Sequence, residues 1–571
     1  MMSDMSSDIE MNWEPPDRFN FSRDIVEAVA AHDGTWPALT FVDSVGAIRR
    51  FTFAQMHDIA TRWTGLLRES GISPGDRVIV AVGKRPDWHA VLLASMRCGA
   101  ITVPCSVHAG GPELEFRIRQ SGASLVVAER ASYAALQHAL NRLDAPPAVL
   151  YVDGIEDSLR DFPRVAPCEN TASGDPAAIV YTAGVSGPPK GAIHTHGSMY
   201  GARLQAQHWL DARPDDLVWC TVPTGGADSI WNVLLGPWSC GSQIVLHEPP
   251  FDPIERCDLI ERLGVTVLCQ TPAEYRAMTR VDGVDRHDFT SVQQAVSVGE
   301  ALDLETVRRF KRLFGITVRE GYGQTETSIV IGQPPGLEPR LGSMGLQLPG
   351  QRVAVIDDWG QEVGPGIEGE IAVQTQTPTL FQGYWDQPDA TSAAFRGGWF
   401  VTGDLAIRDR DGHFSFIGRP EDVIGSNDRK VNALEAESAL LEHDAVLDAA
   451  VVGKHNPLHG QVAKAFVVVR GESPPVSTQE LLEWSRRRLV PNPGPDEIEA
   501  VPELPRDESG KLRRHELRQR EASRAGKDEG WWQRGATTSP EAESSGPDSP
   551  LVARLDAYAH ADRHRREYPD S

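Results

Sequence analysis

Apolar positions along the chain follow two periods. Arg77–Val82 (RVIVAV) is a short β-rich run after the turn Ser73-Pro74-Gly75-Asp76, and Ser124–Ala128 (SLVVA) is another. Asp252–Leu263 has helical spacing, Gly264 stops it, and the strand-like Val265–Gln270 (VTVLCQ) follows. Leu304–Phe314 is again helical, with strand-like Ile316–Glu320 behind it. Such alternation predicts βαβ units and mostly parallel sheets. After about Gly418 the texture changes. Glu435–His443 reads as a helix, Ala449–Gly453 and Ala465–Arg470 as strands, and Ile498–Val501 as a further strand. Ser477–Val490 reads as a helix opened by a capping box of Ser477 and Glu480. The fold class expected is α/β: a large multi-subdomain N-terminal domain with parallel-rich sheets, plus a small mobile α+β C-terminal domain. The expected boundaries are a flexible arm at 1–18, a large domain at 19–418, a small domain at 419–520 and a disordered tail at 521–571. The tail is rich in Gly, Ser, Pro and charge, with a weak helix at Leu551–His560. No internal repeat is visible.

Composition narrows the function classes. The 571 residues carry 56 Lys+Arg against 80 Asp+Glu, a net charge of −24. That balance argues against nucleic acid or an anionic membrane as the main partner. The tail from Arg520 holds 8 basic and 10 acidic residues, so the acidity belongs to the body. Seven cysteines, none spaced C-x-x-C, read as a reduced set without a disulfide framework or zinc knuckle. The N-terminus is polar and acidic and has no apolar h-region, and no apolar run approaches the ~18 residues of a membrane span. A cytoplasmic location is expected.

The strongest local signal is Tyr181-Thr182-Ala183-Gly184-Val185-Ser186-Gly187-Pro188-Pro189-Lys190-Gly191, after the apolar run Ala177–Val180. Small residues let backbone N–H groups approach a phosphate chain; Thr182 and Ser186 add hydroxyls and Lys190 adds charge. Pro189 excludes a Walker A loop, and Pro188 excludes a nucleophile elbow. Taken alone, this run is as compatible with an ordinary Gly/Pro-rich loop. It resembles, however, the YTSGTTGxPKG signature of the ANL superfamily: acyl-CoA synthetases, peptide-synthetase adenylation domains and luciferases. The resemblance runs from about Phe19 to Arg518. Ala183 and Val185 depart from the signature and remove two hydroxyl donors.

Further motifs extend the resemblance, and the roles below are what it implies. Glu320-Gly321-Tyr322-Gly323-Gln324-Thr325-Glu326 is similar to (D/E)xYGxTE. Tyr322 then stacks on adenine, Thr325 meets the α-phosphate and Glu326 holds Mg²⁺. Ser297-Val298-Gly299-Glu300-Ala301-Leu302 looks like the adenine-side segment. Trp399-Phe400-Val401-Thr402-Gly403-Asp404-Leu405 looks like GW(F/Y)xTGD, with Asp404 accepting from the ribose hydroxyls. Asp411–Arg419 matches the run that ends the large domain, with Arg419 reaching ribose or phosphate, and Glu421 stands at the hinge. Leu504–Arg514 resembles LPRTxSGKIxR, which makes Lys511 the catalytic lysine of adenylation. His194-Thr195-His196 is given a packing or loop role rather than zinc.

The implied activity is ATP- and Mg²⁺-dependent conversion of a carboxylic acid to an acyl-adenylate with release of pyrophosphate. The large-domain text reads nearest to medium-chain and aryl acyl-CoA synthetases. The acid pocket is expected among Thr224–Trp231, Val298, Gly299 and Gly323, with Gly225, Gly226, Gly299 and Gly323 making it roomy and Trp231 walling it. A hydrophobic acid, aryl or polycyclic, is expected, and Asp228 is read as a helix cap. The segment after the hinge breaks the pattern. Gly425 replaces the usual Lys or Asn, and Asp428 replaces the Gly that leaves room for pantetheine. Pro491–Asp496 loses the basic residues of a YKxPR-like run. The CoA step is therefore expected to be impaired. The alternatives are a full acyl-CoA synthetase, transfer to a carrier protein, amine or downstream acceptor enzyme, and a non-catalytic nucleotide-binding scaffold.

Overall fold

The computed structural model describes residues 14–163, 166–182, 188–426, 429–456, 460–471, 476–490, 492–507 and 510–534. Among the described residues, those up to Gln519 form one compact unit and those from Arg520 to Arg534 belong to a second.

Among the described residues, two large sheets dominate. The nine-stranded sheet orders Leu346–Gln347, Ser328–Gly332, Val318–Gln324, Gln294–Ser297, Val267–Gln270, Leu217–Cys220, Gln243–His247, Pro37–Val42 and Ile48–Thr52. Its middle is parallel, and both ends finish in antiparallel pairings. The six-stranded sheet is likewise parallel except for the hairpin of Pro176–Tyr181 with Gly191–Thr195. The strands Arg77–Ala81, Leu125–Ala128 and Val267–Gln270 have almost uniformly buried side chains, as expected where helices cover both faces. One apolar core draws on both sheets. Leu39, Phe41, Val218 and Val267 come from the first, Val78, Val80, Val127 and Val180 from the second, and Trp63 and Trp88 from helices. A five-stranded antiparallel sheet follows, built on Glu368–Gln374 and Trp399–Arg408. From Val423 the chain makes a hairpin and then a three-stranded sheet backed by the helices Ala433–Leu441 and Thr478–Leu489. No helix among the described residues is long and apolar enough to cross a membrane.

The helix Leu304–Phe314 falls on its expected bounds. Asp252 caps the helix Pro253–Leu263 by accepting from the amides of Ile254 and Glu255. Other expectations are corrected. Residues 14–18, read as part of a flexible arm, are held by the body: Arg18 donates to the Asn170 carbonyl at 2.6 Å, and Ser173 donates its amide to the Asp17 carbonyl at 3.0 Å. Buried Phe19, edge-on to Tyr200, anchors what precedes it. Ser477 accepts from the Glu480 amide, but the reciprocal half of the capping box is not formed. A helix spans Arg514–Arg534 and so enters the segment read as a tail. The Leu551–His560 reading lies outside the described residues.

The strand expected to end at Glu320 instead runs Val318–Gln324 and turns back as Ser328–Gly332. Glycine makes this hairpin possible. Gly321 and Gly332 are cross-strand partners, and the Trp209 ring lies across both. A Cβ at either position would stand 2.5 or 2.8 Å from that ring. The indole Nε1 also donates to the Glu320 carbonyl at 3.3 Å. Gly321→Ala is therefore expected to destabilise the protein by about 1–3 kcal/mol through overpacking. A lower denaturant midpoint checks this; an unchanged midpoint counts against Trp209 as the platform of the hairpin.

Candidate active site

The phosphate-like loop connects the two strands of the hairpin in the six-stranded sheet. Its stem is closed by Thr182 and Lys190. The Thr182 amide donates to the Lys190 carbonyl at 2.9 Å, and the Lys190 amide donates to the Thr182 hydroxyl at 3.3 Å. Ala183, Gly184, Val185, Ser186 and Gly187 lie outside the described residues. The Lys190 ammonium stands 4.6 Å from the centre of the Tyr384 ring, a cation–π contact. The Tyr384 hydroxyl donates to Glu326 Oε1 at 2.7 Å. Tyr384 thus joins the cation of one motif to the carboxylate of another. Only its place in the fold reveals it; its run Gly383-Tyr384-Trp385 carries no motif signal. Burial pushes the Glu326 carboxyl above its usual range, against the Tyr384 hydroxyl and, more weakly, Lys190 and Arg419. A buried carboxylate held in that way gains when a divalent cation arrives, so Glu326 fits an Mg²⁺ ion shared with phosphate oxygens. Among the described residues no cluster of three or more His, Cys, Asp or Glu side chains is placed to hold a metal on its own.

His194 donates from Nε2 to the Thr325 carbonyl at 2.8 Å and meets Trp231 edge-on at 5.1 Å. Burial pushes His194 and His196 down to about 4. Both are neutral packing groups near pH 7, which accords with the role expected of this run.

Asp404 gathers three segments. Its Oδ2 accepts from the Tyr322 hydroxyl at 2.7 Å and from Gln324 Nε2 at 2.7 Å, and its Oδ1 accepts from Arg419 Nε at 3.1 Å. Gln324 also donates to the Thr402 carbonyl at 2.9 Å. The motif residues from the hairpin, the strand Trp399–Arg408 and the start of the C-terminal region therefore share one carboxylate. Sequence reading named each of these residues, Asp404 included, and missed only that the others share it. Just beyond, Glu421 lies exposed in the short turn Pro420–Asp422, and the Arg518 guanidinium meets Asp422 at 2.6 Å. Asp428 lies outside the described residues.

The segment Ser297–Leu302 sits between two carboxylates. Behind it, Glu320 accepts from the Leu302 amide at 3.2 Å. Burial pushes the Glu320 carboxyl up to about 7, with that single amide pulling the other way. In front, Glu300 of the segment itself accepts from the Leu512 amide at 2.5 Å and faces Arg506 at 3.5 Å. Lys511 is thereby brought to this segment. Asp228 is half-buried, and desolvation raises its carboxyl, opposed by the Lys511 charge. The expectation that Asp228 caps a helix is corrected: Gly226 stands at that cap, and no side chain caps it.

The expected acid pocket is narrower than its glycines suggest. A Cβ at Gly225 would meet the Ser106 amide at 2.5 Å, and one at Gly323 would meet the Ser328 carbonyl at 1.9 Å. These two serve close backbone approach. Gly226 and Gly299 do face open space. Val298 and Trp231 are almost fully buried.

Comparison with known proteins follows the same order along the chain. Residues 26–385 match the family described as AMP-binding enzyme, and residues 435–511 match the AMP-binding enzyme C-terminal domain. The chain is 31% identical over 531 residues to "Acyl-coenzyme A synthetase ACSM3, mitochondrial" of Rattus norvegicus, covering 89% of this chain and 91% of the relative. It is 32% identical over 520 residues to "Uncharacterized acyl--CoA ligase YtcI" of Bacillus subtilis, covering 89% and 97%. Among solved structures, the anthranilate CoA ligase AuaEII in complex with anthranoyl-AMP superposes with a TM-score of 0.83 at 25% identity, covering 89% of this chain and 98% of that one. A benzoate CoA ligase from Burkholderia xenovorans gives 0.78 at 26%, covering 88% and 100%.

Glu320 yields a pH test. Its folded-state pKa lies above the ordinary 4.5. The folded state holds its proton more tightly, so its contribution to stability falls as pH rises from about 4.5 to about 7 and is level above that. Glu320→Gln keeps an acceptor for the Leu302 amide and cannot ionise. It is expected to melt above wild type at pH 8 and close to wild type near pH 4.5. Equal melting differences at both pH values would contradict a neutral, buried Glu320.

Proposed function

The chain belongs to the AMP-binding enzyme family, whose members matched over its length include acyl-CoA synthetases and aryl-CoA ligases, and we propose that it activates a hydrophobic aryl carboxylic acid as its acyl-adenylate. The observation that carries the reading is the arrival of Lys511, from near the far end of the chain, at the Ser297–Leu302 segment, through Glu300.

The mechanism follows from charge. An oxygen of the substrate carboxylate attacks the α-phosphorus of ATP, the bond to the bridging oxygen breaks, and pyrophosphate leaves. Both reactants are anions, so catalysis consists of gathering cations and donors on the phosphoryl oxygens. In this reading Lys190 lies by the β- and γ-phosphates with the backbone of Thr182–Gly187, and Lys511 and Thr325 meet the α-phosphate. Tyr322 stacks on adenine, with Gly299, Glu300, Ala301, Glu320, Gly321, Gly323 and Gln324 beside it. Asp404 and Arg419 hold the ribose. Mg²⁺, held by Glu326, would neutralise phosphate charge. Trp231, Val298, Gly299 and Gly323 bound the acyl group, and the space at Gly226 and Gly299 supports an aryl ring. We take residues 19–418 as the catalytic body and 419–520 as a lid hinged at Glu421.

The fate of the adenylate has three readings. The carboxylate that the sequence places at Asp428, and the loss of basic residues at 491–496, favour an impaired thioester step. Relatives aligned over nine-tenths of the chain and named as acyl-CoA synthetases favour an intact one. Transfer to a carrier protein or another acceptor is the third route. A cytoplasmic location is proposed from the cysteine spacing; the rat relative is named as mitochondrial.

A panel of aryl and aliphatic acids with ATP and Mg²⁺, read by pyrophosphate release with and without CoA, tests the reading. Lys511→Ala is expected to lower acid-dependent release by about 100-fold or more, and Asp404→Asn to raise the KM for ATP about tenfold. No release with any acid would favour the scaffold. Asp428→Gly is expected to raise thioester yield without changing pyrophosphate release; efficient thioester formation by wild type would sink the impaired-CoA reading.

A further inference from the structure

We propose that Glu300 and Arg506 are positioning residues that seat the Lys511 loop for adenylation. This rests on the reading of Lys511 as the catalytic lysine, and adds what holds it in place.

The loop has its own scaffold. Arg506 and Leu512 form a β-bridge, the Arg513 amide donates to the Pro505 carbonyl at 2.8 Å, and the Gly510 amide donates to the Asp507 carbonyl at 2.9 Å. Gly510 turns the chain at φ +83°, where a side chain is strained. The Lys511 amide donates to Asp507 Oδ1 at 3.0 Å. Lys511 therefore stands on a tight turn whose direction is set by its two ends.

Glu300 grips that turn twice. One oxygen takes the Leu512 amide, the residue directly after the lysine, and the other faces the Arg506 guanidinium. Arg506 spreads its donors over three acceptors: Glu300, the Gly510 carbonyl at 2.5 Å and Asp448 at 2.6 Å. Asp448 is held in turn by Arg276 at 3.2 Å, and Arg276 is fixed by Asp303 at 2.9 Å. Asp303 caps the helix Leu304–Phe314 through the Thr306 amide. Arg506 and Glu300 retain only 21% and 18% side-chain exposure, so the pair is partly shielded from solvent. The same Glu300 belongs to the Ser297–Leu302 segment, which Glu320 braces from behind. The lysine is thus registered against the nucleotide-side segment by one carboxylate. A displacement of about 1 Å at such a group is enough to cost about 100-fold in rate.

The test uses the full chain. Glu300→Ala removes both grips; Glu300→Gln keeps an acceptor for the Leu512 amide and loses the charge toward Arg506. Hydrogen exchange of a peptide spanning residues 506–513 and the kinetics of pyrophosphate release are measured on both. Glu300→Ala is expected to lower kcat about tenfold to a hundredfold, by more than it raises KM for ATP at the adenine-side segment, with KM for the acid within about twofold, and to lose protection of the peptide. Glu300→Gln falls between it and wild type in both measurements. Wild-type kcat or wild-type protection in Glu300→Ala overturns the proposal, as does a change confined to KM. A wild type that releases no pyrophosphate defeats the catalytic reading instead, and the exchange measurement still decides whether Glu300 seats the loop.

Discussion

Asp404 is the carboxylate on which the site's arrangement depends. It is almost fully buried, and a buried charge is stable only when donors surround it. Here they come from Tyr322, Gln324 and Arg419. Those donors lie on a hairpin of the nine-stranded sheet and at the exit from the five-stranded sheet. Satisfying one carboxylate therefore fixes how two sheets and the following region meet. The hairpin can take that position because Gly321 and Gly332 admit the Trp209 ring beneath it.

A second constraint is electrostatic and lies where the C-terminal region meets the body. Its contacts are charged: Arg276 with Asp448, Arg309 with Asp444, Arg506 with Glu300, and Arg280 with the Leu447 carbonyl. Partly exposed ion pairs each contribute little, about 0–1 kcal/mol. Where such a pair reaches solvent, as Arg309 with Asp444 does, it specifies direction more than strength.

Elements with strong periodicity were legible from the sequence. Leu304–Phe314 is an amphipathic helix with a capping Asp and a terminal Gly, and it falls as read. Several motif residues read from the sequence meet in the fold: Tyr322, Gln324 and Arg419 all donate to Asp404. The hairpin after Glu320 was not legible, since glycines at 321 and 323 suggest a loop until the Trp209 platform and the Ser328 backbone are seen. The roominess of the acid pocket was misread for the same reason. Gly225 and Gly323 are filled by neighbouring backbone, which no local pattern announces.

The sequence by itself determined the βαβ alternation, the family resemblance and the identity of the charged residues at the site. Those properties are local: periodicity, turn chemistry and short motifs survive without knowledge of what lies opposite. Tertiary structure alone decided the partners. Tyr384 between Lys190 and Glu326, Asp404 beneath three donors, and Glu300 against the Lys511 turn join residues from 15 to 212 positions apart. Such contacts are selected by burial, where an unpaired charge is costly, and burial is a property of the folded chain.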